Sequence, residues 1–263
     1  MSIEINYKNN KLSKSSTNLV LFVDNNFSII SLKKHISNTE FSYISDMLKN
    51  SDLKKNLLFF KVNSKKTIFL ISIKKNLEAS DIESLGAEFH GYINYDMKND
   101  YFVNSDSVNS DFKIFLGHFL HGLKLKSYDF NIYKSKENAK TISINVIGNK
   151  NEVTTQNKLK FKAIEKGIFF ARDLVSEPPN VLNPKEYVNR LLKLRKLGIK
   201  VTVYNESQMK KLGMHSLLGV GRGSINESFL VTLEWNGNKK DKKAPLSFVG
   251  KGVCFDTGGI SLK

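Results

Sequence analysis

Short apolar runs of strand length alternate with stretches of helical spacing through the first 150 residues. Thr67-Ile-Phe-Leu-Ile-Ser-Ile73 is the clearest of these runs. It suits a strand buried on both faces, and it is far short of the roughly 20 apolar residues that a membrane span needs. Asn18-Leu-Val-Leu-Phe-Val-Asp24 is a second run, ended by Asp24-Asn25-Asn26. Residues 2–7 alternate as a strand does, and Thr141 to Ile147 reads as another. Asn56 to Val62 and Thr67 to Ile73 flank Asn63-Ser64-Lys65-Lys66, which predicts a hairpin. Between the strands, Phe41, Ile44 and Leu48 put one apolar face on a helix over Asn38 to Leu48. Ile82, Leu85, Phe89 and Ile93 do the same over Ser80 to Tyr95, and Asp111 to Lys124 reads as helical. Strands and helices in alternation predict an α/β domain.

Gly148-Asn149-Lys150-Asn151-Glu152 is polar and turn-rich, so a boundary is expected there. A long helix follows from about Thr155 to Ser176, with Ile164, Ile168, Ala171 and Val175 as its stripe. Glu177-Pro178-Pro179-Asn180 stops it, because proline cannot continue a helix. Asn183 then suits an N-cap, Pro184 the first helical position and Glu186 the return arm of a capping box. That helix is expected to run through Tyr187, Leu191, Leu194 and Leu197 to Gly198. A strand over Ile199 to Tyr204 and a short helix over Glu206 to Leu212 come next. Gly219-Val-Gly-Arg-Gly-Ser224 lacks the spacing of a phosphate loop and reads as a tight turn before the strand Phe229 to Trp235. The expected organisation is an N-terminal domain over 1–150, a linker helix over 151–180 and a second domain from 181 to 263.

A hydrophobic content of 40%, with 18 Phe and 9 Tyr, is enough for a substantial core. Cys254 is the only cysteine, which rules out a disulfide within the chain. The first residues show no basic-then-apolar leader. These features fit a cytoplasmic protein with no membrane role. The net charge of +16 raises the question of nucleic acid, but Arg172, Arg190, Arg195 and Arg222 are the only arginines among 41 basic residues. Dispersed lysines give weak, salt-sensitive polyanion binding rather than base recognition. His118 and His121 are spaced like a metal pair, but they sit among Phe115, Leu116, Phe119 and Leu120 with no third ligand nearby. They read as packing and solvent-edge histidines.

The chemistry is concentrated at the C-terminal end. Leu246 to Val249 reads as a short strand, broken by Gly250, Gly252, Gly258 and Gly259 into turns that carry Lys251, Asp256 and Lys263. Glycines permit close backbone approach to a ligand or ion. A carboxylate beside two amines at the C-terminal end of a strand is where open α/β sheets place their sites.

The block Gly250-Lys-Gly-Val-Cys-Phe-Asp-Thr-Gly-Gly-Ile-Ser-Leu-Lys263 resembles the metal-binding signature of the leucyl (cytosol) aminopeptidases. Two further stretches resemble the same family: Ala171-Arg-Asp-Leu-Val-Ser-Glu-Pro-Pro-Asn-Val-Leu-Asn-Pro184 and Gly219 to Ser224. The specific similarity covers roughly 171–263. It implies a macro-like α/β N-terminal domain, then the first part of an α/β/α catalytic domain. It implies a pair of divalent metals, zinc or manganese, with Lys251 and Asp256 as ligands and Lys263 acting on the scissile carbonyl. It further implies peptide substrates with leucine favoured, a homo-hexamer, and a bicarbonate held by an Arg. An amine binds metal only when neutral, so burial and nearby cations are expected to depress Lys251, whereas Lys263 must stay charged to stabilise an oxyanion.

The family's Asn-Thr-Asp-Ala-Glu-Gly-Arg block, which carries two more acidic ligands and the bicarbonate Arg, does not occur among these 263 residues. The expectation is a chain truncated within the catalytic domain and inactive by itself. Two other readings stand beside it. Asp256-Thr257-Gly258 is the core of an aspartic peptidase motif, where two carboxylates activate water without metal. The lysine excess alternatively suits a basic nucleic-acid-binding module without catalysis.

Overall fold

The computed structural model describes residues 2–7, 18–95, 100–135, 141–238, 240 and 245–254. The chain divides into two units, residues 1–170 and 171–263. In the first, strands β1 (Ser2–Tyr7) and β2 (Asn18–Asp24) precede helix α1 (Asn38–Leu48). The hairpin β3 (Leu57–Lys61) and β4 (Thr67–Ile73) leads to α2 (Ala79–Tyr95) and β5 (Asp100–Asn104). Helix α3 (Phe115–Lys126), β6 (Thr141–Ile147) and α4 (Thr155–Ser176) follow, and α4 crosses the division between the units.

The six strands form one sheet in the order β1-β6-β5-β2-β4-β3. All neighbours are parallel except β3, which runs antiparallel to β4. The order follows from burial. Every residue of β4 is buried, as are Asn18 to Val23 of β2, so these apolar runs take central places covered on both faces. The turn between β3 and β4 is the one expected at Asn63: its side-chain oxygen accepts from the backbone N–H of Lys65 and Lys66, both at 2.8 Å.

Helices α2 and α3 cover one face. Ile82, Leu85, Phe89 and Ile93 of α2 are all buried there, as their spacing predicts. Phe22 meets Phe115 and Phe119 edge-on at 5.5 and 5.2 Å, an arrangement that sets a positive ring edge against a negative ring face. The two helices touch backbone to backbone. A Cβ at Gly86 would lie 2.0 Å from the Phe119 carbonyl oxygen, and one at Gly122 would lie 1.9 Å from that of Glu83. The other face is covered by α1 and by the turn around Leu32, with Phe27, Ile29, Leu32, Ile36 and Ile44 buried against β2 and β4. Ser37 and Glu40 close a reciprocal capping box at the start of α1.

Helix α3 begins at Phe115, later than the expected Asp111. Ser110 explains the difference, because its hydroxyl accepts from the Phe112 N–H and commits those residues to a turn. The turn predicted after β6 is present. Gly148 has φ +111° and lies against Ser105, while Asp106 accepts from the N–H groups of Asn149 at 2.8 Å and Lys150 at 2.6 Å.

The second unit holds α5 (Pro184–Leu192), β7 (Lys200–Tyr204), α6 (Glu206–Lys211), α7 (His215–Gly221) and β8 (Leu230–Glu234). Strands β7 and β8 pair antiparallel, from Lys200 opposite Glu234 to Tyr204 opposite Leu230. Three expectations need correction here. Residues 193–197 tighten into a 3-10 turn ended by left-handed Gly198 instead of continuing α5. Gly219 to Gly221 form the last turn of α7, and only the following residues make a turn, with Ser224 N–H donating to the Gly221 carbonyl. A glycine costs a helix about 1 kcal/mol and does not forbid it, so the run of glycines misleads. Leu246 to Val249 is not a strand: among the described residues no strand pairs with it, and Phe248 is 89% exposed. An apolar run becomes a strand only where a neighbour takes its backbone groups.

Candidate metal site and its scaffold

The approach to the candidate block is built on one arginine. Asn183 caps α5 by accepting from the Glu186 N–H at 3.0 Å, and Pro184 follows at the first position. The expected return arm of the box is not used. Arg190 takes the Glu186 carboxylate instead, Nε to Oε1 at 3.2 Å, and Asn189 donates to the same carboxylate. The Arg190 hydrogen bond, with that of Asn189, holds the Glu186 carboxyl below its ordinary range. The same guanidinium reaches Glu177 with Nη1 at 2.7 Å, and the Glu177 side chain is almost wholly buried. Burial alone would lower the Arg190 pKa, but hydrogen bonds to Glu177 and Glu186 outweigh it and raise it. Arg190 thus ties the Glu177-Pro-Pro-Asn turn to α5, two turns beyond its cap. Arg195 donates to the Val201 carbonyl at 2.7 Å, and Glu206 accepts from the Ser228 N–H at 2.8 Å, so α6 and β7 are anchored by charge-assisted bonds as well.

The described part of the block runs from Gly250 to Cys254. Val253 N–H donates to the Lys251 carbonyl at 3.1 Å, making a tight turn. Gly252 rests on α5: a Cβ there would lie 2.6 Å from the Tyr187 ring. Lys251 itself is exposed, so the described residues do not supply the burial expected for a metal-binding amine. Asp256 and Lys263 lie outside the described residues. Among the described residues no three His, Cys, Asp or Glu side chains converge as a metal site. The donor chemistry of Lys251 and Asp256 suits part of a two-metal centre, although two donors do not complete it, since a catalytic metal takes about three protein ligands.

His118 and His121 are confirmed as packing residues, with partners the sequence did not reveal. His118 Nδ1 lies 2.7 Å from Glu83 of α2, and His121 Nδ1 lies 3.0 Å from Glu165 of α4. The Phe161 ring of α4 packs against both imidazoles, with centroids 5.0 and 4.9 Å away. Each histidine is claimed by its own carboxylate, and the pair does not converge on a common point.

Residues 169–263 match the family model described as the cytosol aminopeptidase family, catalytic domain. The chain belongs to the cytosol aminopeptidase family. A probable cytosol aminopeptidase of Agrobacterium fabrum is 43% identical over 151 residues, covering 55% of this chain and 30% of that protein. One from Rhizobium rhizogenes is 38% identical over 199 residues, covering 72% of this chain and 39% of its own length. The chain therefore spans about a third of these family members. Among solved structures, a tomato leucine aminopeptidase variant superposes with a TM-score of 0.70 at 17% identity, over 88% of this chain and 50% of that one. The bottromycin maturation enzyme BotP, in complex with Mn, gives 0.62 at 13% identity, over 84% of this chain and 45% of that chain. These likenesses establish the α/β fold predicted from the alternation of strands and helices.

Proposed function

We propose that the protein to which this cytosol aminopeptidase chain belongs removes N-terminal residues from peptides, leucine among the favoured ones, with two divalent metal ions. The observation that carries this reading is the match of residues 169–263 to the family's catalytic domain, with the complete Gly250 to Lys263 block inside it. The complex of BotP with Mn supports manganese as a metal of the pair, and zinc is carried over from the family resemblance. Bound metals would lower the pKa of a shared water and polarise the peptide carbonyl. In this reading Lys251 and Asp256 contribute to holding the metals. Lys263 presents a charged amine to the carbonyl oxygen as negative charge develops there, a contribution on the order of 3 kcal/mol. Bicarbonate, a hexameric assembly and a cytoplasmic location are carried over from the family in the same way. Among the described residues no helix is long and apolar enough to cross a membrane.

In the full-length protein, Asp256→Ala is expected to strip metal. Lys263→Ala is expected to retain it while turnover falls on the order of a hundredfold. Leucine-anilide kinetics with metal analysis checks both; equal metal loss in the two variants would remove Lys263 from the role proposed. A chelator should abolish activity and pepstatin should not; the reverse pattern would favour the Asp-Thr-Gly reading. Residues 1–263 by themselves are expected to be inactive, because their donors fall short of two catalytic sites.

A further inference from the structure

Among the described residues, the first unit leaves one sheet edge open. Strand β3 is last in the sheet order. Its ladder is bonded at Asn56 with Ser72 and at Val62 with Lys66, at 2.8 and 2.9 Å. Bonded pairs alternate in an antiparallel ladder, so Leu58 and Phe60 also turn their backbone groups to β4. Leu57, Phe59 and Lys61 therefore turn theirs outward. Of these, the Lys61 carbonyl accepts from the Tyr43 hydroxyl at 3.3 Å. The opposite edge differs: the Lys124 ammonium binds the Ile3 carbonyl of β1, and Lys158 lies 3.9 Å over the Tyr7 ring.

The side chains beside the open edge are apolar and flanked by positive charge. Phe59 is 46% exposed although it packs on Tyr92 and Phe69 at 5.7 and 6.0 Å. On the other face, Tyr43 and Met47 stand one helical turn apart on α1, both exposed. Lys54, Lys55, Lys61 and Lys65 are exposed and make no ion pair with a described residue. The nearby acids are already engaged: Asp46 pairs with Lys49, Glu40 with Lys66, Asp52 accepts from the Lys54 N–H, and Glu88 accepts from the Asn56 side chain at 3.1 Å.

We propose that β3 accepts an extended segment of another protein as a seventh strand, apolar at its centre and acidic at its ends. Outward N–H and C=O groups at Leu57 and Phe59 supply the ladder, and alternate side chains of the guest cover Phe59–Tyr92 on one face and Tyr43–Met47 on the other. The lysines select acids at both ends. A second copy is a poor guest, because two-fold pairing about Phe59 sets Lys61 of each copy beside Lys54 and Lys55 of the other. This inference is independent of the aminopeptidase reading.

The probe is dye-labelled acetyl-Glu-Asp-Val-Tyr-Val-Thr-Val-Asp-Glu-amide, titrated with residues 1–263 by fluorescence anisotropy. Saturable binding that weakens with salt is expected. N-methylation of alternate peptide amides should weaken it on the order of tenfold or more, as should Phe59→Pro, which removes one outward N–H. If Phe59→Pro loses its circular dichroism spectrum, the variant Lys54→Glu, Lys55→Glu, Lys61→Glu decides. It should reject the acidic peptide and bind the same peptide with lysines at its ends. Absence of saturable binding, indifference to N-methylation, unchanged binding by the triple variant, or dimerisation of the unmodified chain through β3 would each overturn the proposal.

Discussion

A guanidinium shared between two carboxylates holds a geometry that neither acid could impose alone. Arg190→Met should destabilise the second unit by about 2–3 kcal/mol, because Glu177 is almost fully buried and loses a charge-assisted bond at 2.7 Å. Urea unfolding followed at Tyr204 or Trp235 checks this, and Arg190→Lys should not restore it, since a single ammonium cannot fork between two acids. A second prediction concerns pH. Burial alone would raise the Glu40 carboxyl, but bonds from Lys66, at 2.6 Å, and from Ser37 hold it below the ordinary 4.5. A depressed folded pKa contributes stability above the unfolded value that is lost as pH falls through the folded one. The stability gap between the native chain and Lys66→Met should thus be about 1 kcal/mol at pH 7 and close as pH falls below the ordinary carboxylate range. Chemical denaturation across that range tests it. At this scale the sequence was least informative. Local chemistry such as the Asn183 cap was legible, but Glu83 and Glu165 lie 35 and 44 residues from the histidines they meet, and no local pattern links them.

Helices α2 and α3 show what an element can hide. Both were visible from their apolar spacing, but their closeness was not, because Gly86 and Gly122 read only as weak helix formers. Gly122→Ala should cost about 3 kcal/mol, since the new methyl meets the Glu83 backbone and no rotamer relieves it. Gly91 is the control: it lies on α2 with nothing within 4 Å of its would-be Cβ, so Gly91→Ala should stabilise by about 0.5–1 kcal/mol. Thermal unfolding of the two variants checks the contrast. Elements were legible where burial and periodicity agree, as in β2, β4 and α2. They were not where glycine count stood in for conformation, as in α7, or where an apolar run finds no neighbour, as at Leu246 to Val249.

The whole molecule is unevenly consolidated. The two large buried clusters lie in residues 1–170, whereas among the described residues after 170 the buried apolar side chains are Leu182, Val188, Val201 and Met209. Hydrogen exchange should therefore find slow amides in β2, β4 and α3, and fast exchange in β7 and β8. Residues 1–170 expressed alone should keep the same slow amides; uniform fast exchange would show that the first unit depends on the second. Charge acts on this larger scale too. Nucleic-acid binding by dispersed lysines should fade steeply between 50 and 200 mM salt, as filter binding would show.

The backbone contact between α2 and α3 also limits how the first unit can move. Packed helices adjust to ligands by small sliding displacements, which need smooth, tolerant surfaces. Here each helix seats a glycine against a carbonyl of the other, and a slide of one turn, about 5.4 Å, would bring a larger side chain into each seat. The pair behaves as a keyed joint. Shear between α2 and α3 is closed to the unit, and any response to a guest strand at β3 must be taken up elsewhere than in this helix pair.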